Sequence, residues 1–150
     1  MRIYERLGEG FREGGPDYLP SLAVFHCRWC FPDAERVRAM LPERAAEKAL
    51  LVRVDCTARI EAEFVAKAFS EGYDGLLVLG CELGECHHLT GNHRALKRFA
   101  LLRNMLSLLG IYPERLRLML APPFDEELVR ASISEYVSEL GELGSFRYLG

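Results

Sequence analysis

The sequence contains no run of five or more basic residues, and its 19 lysines and arginines are outnumbered by 22 acids, for a formal charge of -3. A nucleic-acid-binding face shows itself as a clustered positive patch, so nucleic acid is not an expected partner. No apolar run approaches the ~18 residues of a membrane span. The opening MRIYERLGEGFREGG carries charges throughout and lacks the apolar stretch of a signal peptide. These absences predict a cytoplasmic chain with no membrane span. Also absent are G-x-G-x-x-G, H-E-x-x-H, a Ser/His/Asp arrangement and paired catalytic carboxylates. Neither a dinucleotide fingerprint nor a catalytic constellation is expected, and no residue is assigned a catalytic role.

What is present is the composition of an ordinary globular domain: 150 residues, 49% hydrophobic and 27% charged. A chain of this length can bury about 70% of its unfolded surface. Its five cysteines are therefore not needed to staple an undersized core. In a reducing compartment an odd number of cysteines reads as metal ligands or redox thiols rather than a disulfide framework.

Residues 1–20 are rich in Gly, Pro and charge without sustained periodicity and read as an N-terminal arm. From residue 21 to 143 short apolar runs alternate with stretches of helical spacing, which makes one domain. The runs SLAVFHC, ALLVRVDC, DGLLVLGC and RLRLMLA read as strands. The stretches PDAERVRAML, RIEAEFVAKAFSEG, NHRALKRFALLRNMLSLLG and PFDEELVRASISEYVSEL read as helices. Pro32 and Asp33 open the first helix, Gly72 and Gly110 close the second and third, and Pro122 and Pro123 precede the fourth. Phe99, Leu102, Leu106 and Leu109 give the third helix one apolar face. Four β-α units predict an α/β fold of Rossmann-like or flavodoxin-like kind: an open, mainly parallel four-stranded sheet with flanking helices. Nearly continuous apolar strands suit burial on both faces. Residues 144–150 form a C-terminal tail whose Phe146, Tyr148 and Leu149 need not join the core. Arm and tail are candidate docking segments.

The cysteines follow the pattern C-x2-C-x25-C-x24-C-x4-C. Cys27, Cys56 and Cys81 end the first three strands, and Cys30 and Cys86 follow in the loops behind the first and third. In an open parallel sheet the C-terminal strand ends share one edge, and ligands bind there. Adjacent strands lie about 4.8 Å apart, so thiols distant in sequence can meet around one small centre. Cysteines acting only as small buried hydrophobes would scatter along the strands instead. An iron–sulfur centre ranks first because its ligands tolerate irregular spacing, C-x4-C included. Zinc ranks second, since structural zinc favours two tight C-x2-C knuckles. A Cys27–Cys30 dithiol site ranks third because it leaves three cysteines unexplained.

Around these thiols, His87 and His88 follow Cys86 directly and read as shielding or sulfur-bonding loop residues, with a mixed Cys/His ligand set as the alternative. His26 is read as a polar residue pointing away from Cys27. Trp29 sits between two cysteines, where it would screen a centre from water or anchor a partner. Gly80, Gly84 and Gly91 allow the third loop to wrap closely. Arg59 and Arg94 are placed to offset the charge of a thiolate-ligated centre.

The segments FHCRWC, VRVDCTARIEAEFVAKAFSEGYDGLLVLGC and GECHHLTGNHRALKRFALLRNMLSLLGI resemble the delta subunit of methyl-viologen-reducing hydrogenase, the iron–sulfur protein that works with heterodisulfide reductase. The likeness runs over about residues 22–120, with the ordered cysteines and the Gly91, Asn92 and Arg98 pattern as its most specific part. It implies a [2Fe-2S] electron-transfer protein linking a hydrogenase, formate dehydrogenase or similar oxidoreductase to the flavin- and iron–sulfur-containing protein HdrA, in assemblies that perform flavin-based electron bifurcation. The ligand candidates it implies are Cys27, Cys30, Cys56, Cys81 and Cys86, five for four places. Departures are Thr57 and Ala58 where the family has a small residue and Gly, Glu82 and Leu83 where it has His-Pro, and a shorter loop after Cys30. They spare the thiolates and change what surrounds them. A zinc-stabilised adaptor that passes no electron is the alternative function.

Overall fold

The computed structural model describes residues 18–146. The strands are β1 (Leu22–Cys27), β2 (Leu50–Val54), β3 (Gly75–Cys81) and β4 (Leu116–Ala121). They form one sheet of order β2-β1-β3-β4, and each neighbouring pair is parallel. The helices are α1 (Ala34–Met40), α2 (Glu43–Lys48), α3 (Ala62–Ser70), α4 (Gly91–Leu108) and α5 (Glu126–Leu143). The α/β fold with its open parallel sheet is therefore the one expected from the pattern.

Alternation along β1 and β3 divides the core in two. Leu22, Val24, Leu77 and Leu79 pack with Val37 and Met40 of α1, Ala45 of α2 and Ile133, Tyr136 and Leu140 of α5. Ala23, Phe25, Leu76 and Val78 pack on the other face with Val65 and Phe69 of α3 and Phe99, Leu102 and Leu106 of α4. Each interior strand is covered on both faces, which is why β1 and β3 are buried throughout and, His26 apart, without polar side chains. The edge strands differ from expectation: β2 and most of β4 are only partly buried, because each has a neighbour on one side only.

Helix starts follow the local chemistry. The Asp33 carboxylate accepts from the Glu35 N–H at 3.0 Å and the Asp125 carboxylate from the Leu128 N–H at 3.1 Å, each satisfying an otherwise orphaned donor. The pattern did not reveal α2, which is six residues long and buries only Ala45. Leu109, expected on the apolar face of α4, lies at its end and is exposed.

At the N-terminal edge of the sheet, buried Asp74 ties both ends of the described chain to β3. Its carboxylate accepts from the Tyr18 hydroxyl at 2.8 Å, the Ser21 N–H at 2.8 Å and the Phe146 N–H at 2.6 Å. Arg115, fully buried, donates to the Asp74 carbonyl at 2.9 Å and to that of Gly144 at 3.1 Å. Phe146 thus joins the core, against Phe69 at a ring separation of 5.2 Å, contrary to its reading as part of a loose tail. Tyr148, Leu149 and residues 1–17 lie outside the described residues.

Removing the Asp74 carboxylate leaves several donors unpaired, so Asp74→Ala should lower stability in urea unfolding by about 3 kcal/mol. Burial, helped by the bond to Asp74, pushes the Tyr18 phenol up to about 12. A raised acid contributes its stability below its unfolded value of about 10 and loses it as pH climbs through the folded value. Tyr18→Phe should cost about 1 kcal/mol at neutral pH, a difference that shrinks between about pH 10 and 12.

Candidate metal centre

The chain passes from β1 to β2 on one side and then crosses over to β3 on the other. The strand order therefore reverses beside β1, and a crevice opens between the C-terminal ends of β1 and β3. Cys27 ends β1 and Cys81 ends β3, with their sulfurs 3.8 Å apart. Cys56 lies two residues beyond β2, and Cys30 and Cys86 reach in from the following loops. All five cysteines form one contiguous cluster: Cys27, Cys56, Cys81 and Cys86 are buried and Cys30 is half-buried against them.

The sulfurs fall into two groups. Those of Cys27, Cys30 and Cys81 lie within 4.8 Å of one another. Cys56 and Cys86 form a second pair in hydrogen-bonding contact, and burial pushes the Cys56 thiol up, helped by Cys86 and Cys27 and opposed by a bond from the Ala58 backbone. Cys30 and Cys81 are joined as a disulfide with Cα atoms 5.6 Å apart. The sequence favours metal ligands or redox thiols over a disulfide framework, and its third-ranked dithiol site pairs Cys27 with Cys30, whereas the disulfide here joins Cys30 to Cys81. The β1–α1 loop carries Cys30 across the crevice to the end of β3, within the separation a disulfide needs. Reduction returns both sulfurs to thiols.

Three loops carry these cysteines, and each is pinned by a different polar side chain, two of them buried and one, Arg98, half-buried. In the β1–α1 loop, His26 is fully buried and its Nδ1 lies 2.6 Å from the Phe31 carbonyl. Burial pushes His26 below its usual value, so the ring is neutral and Nδ1–H donates. The Phe31 N–H donates back to the Cys27 carbonyl at 2.8 Å, closing the turn that holds Cys30. In the loop after β2, Arg98 of α4 donates to the carbonyls of Ala58 and, at 3.2 Å, Ile60. In the loop after β3, Asn92 donates to the carbonyls of Cys81 at 3.0 Å and Glu82 at 2.8 Å. The side-chain bond of a residue read as merely polar, His26, thus positions the C-x2-C turn.

Gly91 opens α4 directly against the thiols. A Cβ at this position would overlap the Cys56 sulfur and press on that of Cys86 at 3.1 Å. Only a glycine lets the first turn of an 18-residue helix approach these sulfurs, where its free N–H groups favour negative charge. Just before it, Leu89 adopts φ 62°, a left-handed conformation that costs a non-glycine about 1 kcal/mol. Gly91, read as letting the loop wrap closely, and Asn92 and Arg98, singled out by resemblance alone, therefore have physical roles: approach, and the pinning of two loops.

The remaining candidates lie around the cluster. Trp29 is 48% exposed and stacks on His87 at a centroid distance of 3.5 Å, with His88 edge-on at 6.4 Å. Among the described residues, the group of sulfurs close enough to share an ion includes no histidine. Arg59 and Arg94 are not aimed at the sulfurs by any bond of their own, and both are exposed. The cation that enters the site is Arg98, which grips loop carbonyls rather than sulfur.

The donor set is all cysteine sulfur. The 3.8 Å separation of the Cys27 and Cys81 sulfurs equals the edge of a tetrahedron with metal–sulfur bonds of about 2.3 Å. The cysteines thus fit a thiolate-ligated metal centre.

Known proteins of similar sequence give the family. Residues 22–144 match the family described as methyl-viologen-reducing hydrogenase, delta subunit. The chain belongs to this family. It is 35% identical over 132 residues to an F420-non-reducing hydrogenase iron-sulfur subunit of Archaeoglobus profundus, an alignment covering 88% of this chain and 96% of that one. It is 36% identical over 99 residues to the F420-non-reducing hydrogenase vhc iron-sulfur subunit of Methanococcus voltae, covering 66% of this chain and 69% of the relative. A third relative is larger: the A-subunit of the ferredoxin/F(420)H(2)-dependent CoB-CoM heterodisulfide reductase of Methanosarcina acetivorans, 35% identical over 125 residues. That match takes in 83% of this chain and only 16% of the relative, so a domain of this delta-subunit kind there forms part of a much longer polypeptide.

Because the Gly91 Cβ position is occupied by sulfur, Gly91→Ala should displace Cys56. Anaerobic reconstitution with iron and sulfide should load this variant to less than half the wild-type iron, while its far-ultraviolet circular dichroism stays unchanged.

Proposed function

We propose that this chain is an electron-relay subunit. Four of Cys27, Cys30, Cys56, Cys81 and Cys86 would hold a [2Fe-2S] cluster, through which electrons pass between a hydrogenase, formate dehydrogenase or other oxidoreductase and an HdrA-like flavin/iron–sulfur subunit. The setting of this relay would be a cytoplasmic, electron-bifurcating complex. The observation that carries the reading is the gathering of five cysteines, drawn from three strands and their loops, into one buried cluster at the sheet's switch point. Two kinds of relative support it: those named as hydrogenase iron-sulfur subunits, and one named as the A-subunit of a heterodisulfide reductase, in which this domain and the remainder share one chain. No helix among the described residues is long and apolar enough to cross a membrane.

When bound, such a cluster supplies a one-electron store. The protein's part is to hold the thiolates and to set their surroundings. His26, Arg98 and Asn92 fix the three cysteine loops, so the sulfurs move little when the charge of the centre changes. Burial of four thiols limits water, and the N-terminus of α4 favours the more negative state. The chain offers one centre and no substrate-converting constellation among the described residues, so it works as part of a complex.

Anaerobic metal and sulfide analysis, read with an EPR spectrum after dithionite reduction, tests this reading. About two irons and two sulfides per chain and a rhombic S = 1/2 signal are expected. Among the five single Cys→Ser variants, four should lose most of their iron and one should keep it. Folded protein with one zinc and no signal would replace the relay by the zinc-stabilised adaptor, whose tetrahedral site the Cys27–Cys81 spacing suits equally well.

A further inference from the structure

The Cys30–Cys81 disulfide joins the most accessible sulfur of the cluster to a sealed one. Cys81 is 3% exposed and Cys27, Cys56 and Cys86 are likewise buried, whereas Cys30 is half-buried. Cys30 also lines a cavity of about 550 Å³, walled by Phe31, Val37 and Met40 on one side and by Pro123 and Phe124 on the other. Arg36 and Glu126 pair at the same cavity and cancel each other's charge. A reagent can therefore reach one sulfur of the bridge through a neutral, largely apolar opening, while the other is shielded.

The bridge and a metal centre exclude each other. Metal is held by thiolates, and a sulfur committed to a disulfide is not one. With Cys30 and Cys81 joined, the free thiols are Cys27, Cys56 and Cys86, three where a tetrathiolate zinc or a [2Fe-2S] cluster takes four. The bridge also guards the accessible sulfur. A lone exposed thiol oxidises onward to sulfinic and sulfonic acids, which are not recovered, whereas a disulfide returns to thiols on reduction.

We propose that Cys30 and Cys81 form a thiol–disulfide exchange site whose substrate is a dithiol, and that exchange there decides whether the chain takes up metal. The metal-loading half of the inference rests on the thiolate-held centre of the relay reading; the exchange half does not. A thiolate of the dithiol enters the cavity and attacks the Cys30 Sγ. The Cys30–Cys81 bond breaks, and Cys81 leaves as a thiolate and takes up a proton. The second thiol of the reductant then attacks its own neighbour's sulfur in the mixed disulfide, releasing Cys30 as a thiol and closing the reductant's disulfide. Two electrons and two protons have passed from the dithiol to the pair. The bridge forms again by the reverse exchange, with a low-molecular-weight disulfide as the oxidant. The competitor is Cys27, buried with its sulfur 3.8 Å from that of Cys81, whose attack would move the bridge and free Cys30.

The test uses the full chain, stripped of metal by chelation and then either oxidised with glutathione disulfide or reduced with dithiothreitol. Peptide mapping of the oxidised chain should find Cys30 joined to Cys81, and thiol titration after unfolding should count three thiols, rising to five on reduction. Offered zinc, and separately iron with sulfide, the oxidised chain should bind neither and the reduced chain should load. A C-x2-C protein reductant whose second cysteine is replaced by serine cannot finish the exchange and should be trapped on Cys30. Opening by dithiothreitol or by the intact C-x2-C protein upholds the site; opening by neither overturns it. Five thiols after glutathione disulfide, a bridge mapped to any other pair, trapping on Cys81, or equal loading of both states each overturns it as well. A reduced chain that binds zinc but no iron and sulfide, beside an oxidised chain that binds nothing, removes the relay reading and keeps the exchange site, so the two fail separately.

Discussion

Five sulfur atoms crowded at one end of a parallel sheet form an arrangement that the backbone must be made to hold. Thiols do not attract one another strongly, and as thiolates they repel. What brings them together is a set of hydrogen bonds to main-chain carbonyls in the loops that bear them, from His26, Arg98 and Asn92. Two of those donors stand on α4, whose apolar face is packed on β1 and β3 by Phe99, Leu102 and Leu106. The sheet core thereby sets the position of α4, and α4 sets two of the three cysteine loops. Gly91 completes the chain of dependence, because α4 can occupy its place only if its first residue has no side chain.

This arrangement separates roles between the two edges of the sheet. At the N-terminal edge Asp74 collects donors from Tyr18, Ser21 and Phe146 and binds both ends of the described chain to β3. At the C-terminal edge the polar groups are committed to loops, and large apolar residues stand exposed: Trp29, Leu83, Leu89 and Phe124. An edge that is rigid underneath and apolar outside suits a centre meant to be covered by other proteins. The stacking of Trp29 on His87 belongs to the same surface and joins the first cysteine loop to the third.

The Cys30–Cys81 disulfide and the half-buried state of Cys30 set the sulfurs of the cluster apart from one another. Cys81 lies within reach of both Cys27 and Cys30, whereas Cys56 and Cys86 meet each other beside Gly91.

Fold class was legible in the sequence because interior parallel strands must be nearly continuous apolar runs and amphipathic helices must repeat near 3.6 residues; LAVFHC, with His26 as its one polar residue, and GLLVLGC satisfy the first condition and ALKRFALLRNML the second. The shared position of the cysteines was legible for the same reason, since the ends of parallel strands share an edge. Helix α2, with one buried alanine, left no periodic trace, and Phe146 could not be told from a loose end without Asp74 and Phe69 to receive it. The pairing of Cys30 with Cys81, the pins on each loop and the contact of Gly91 with sulfur were decided only by tertiary structure. They depend on distances between residues tens of positions apart, and those distances exist only once both faces of the sheet have been packed.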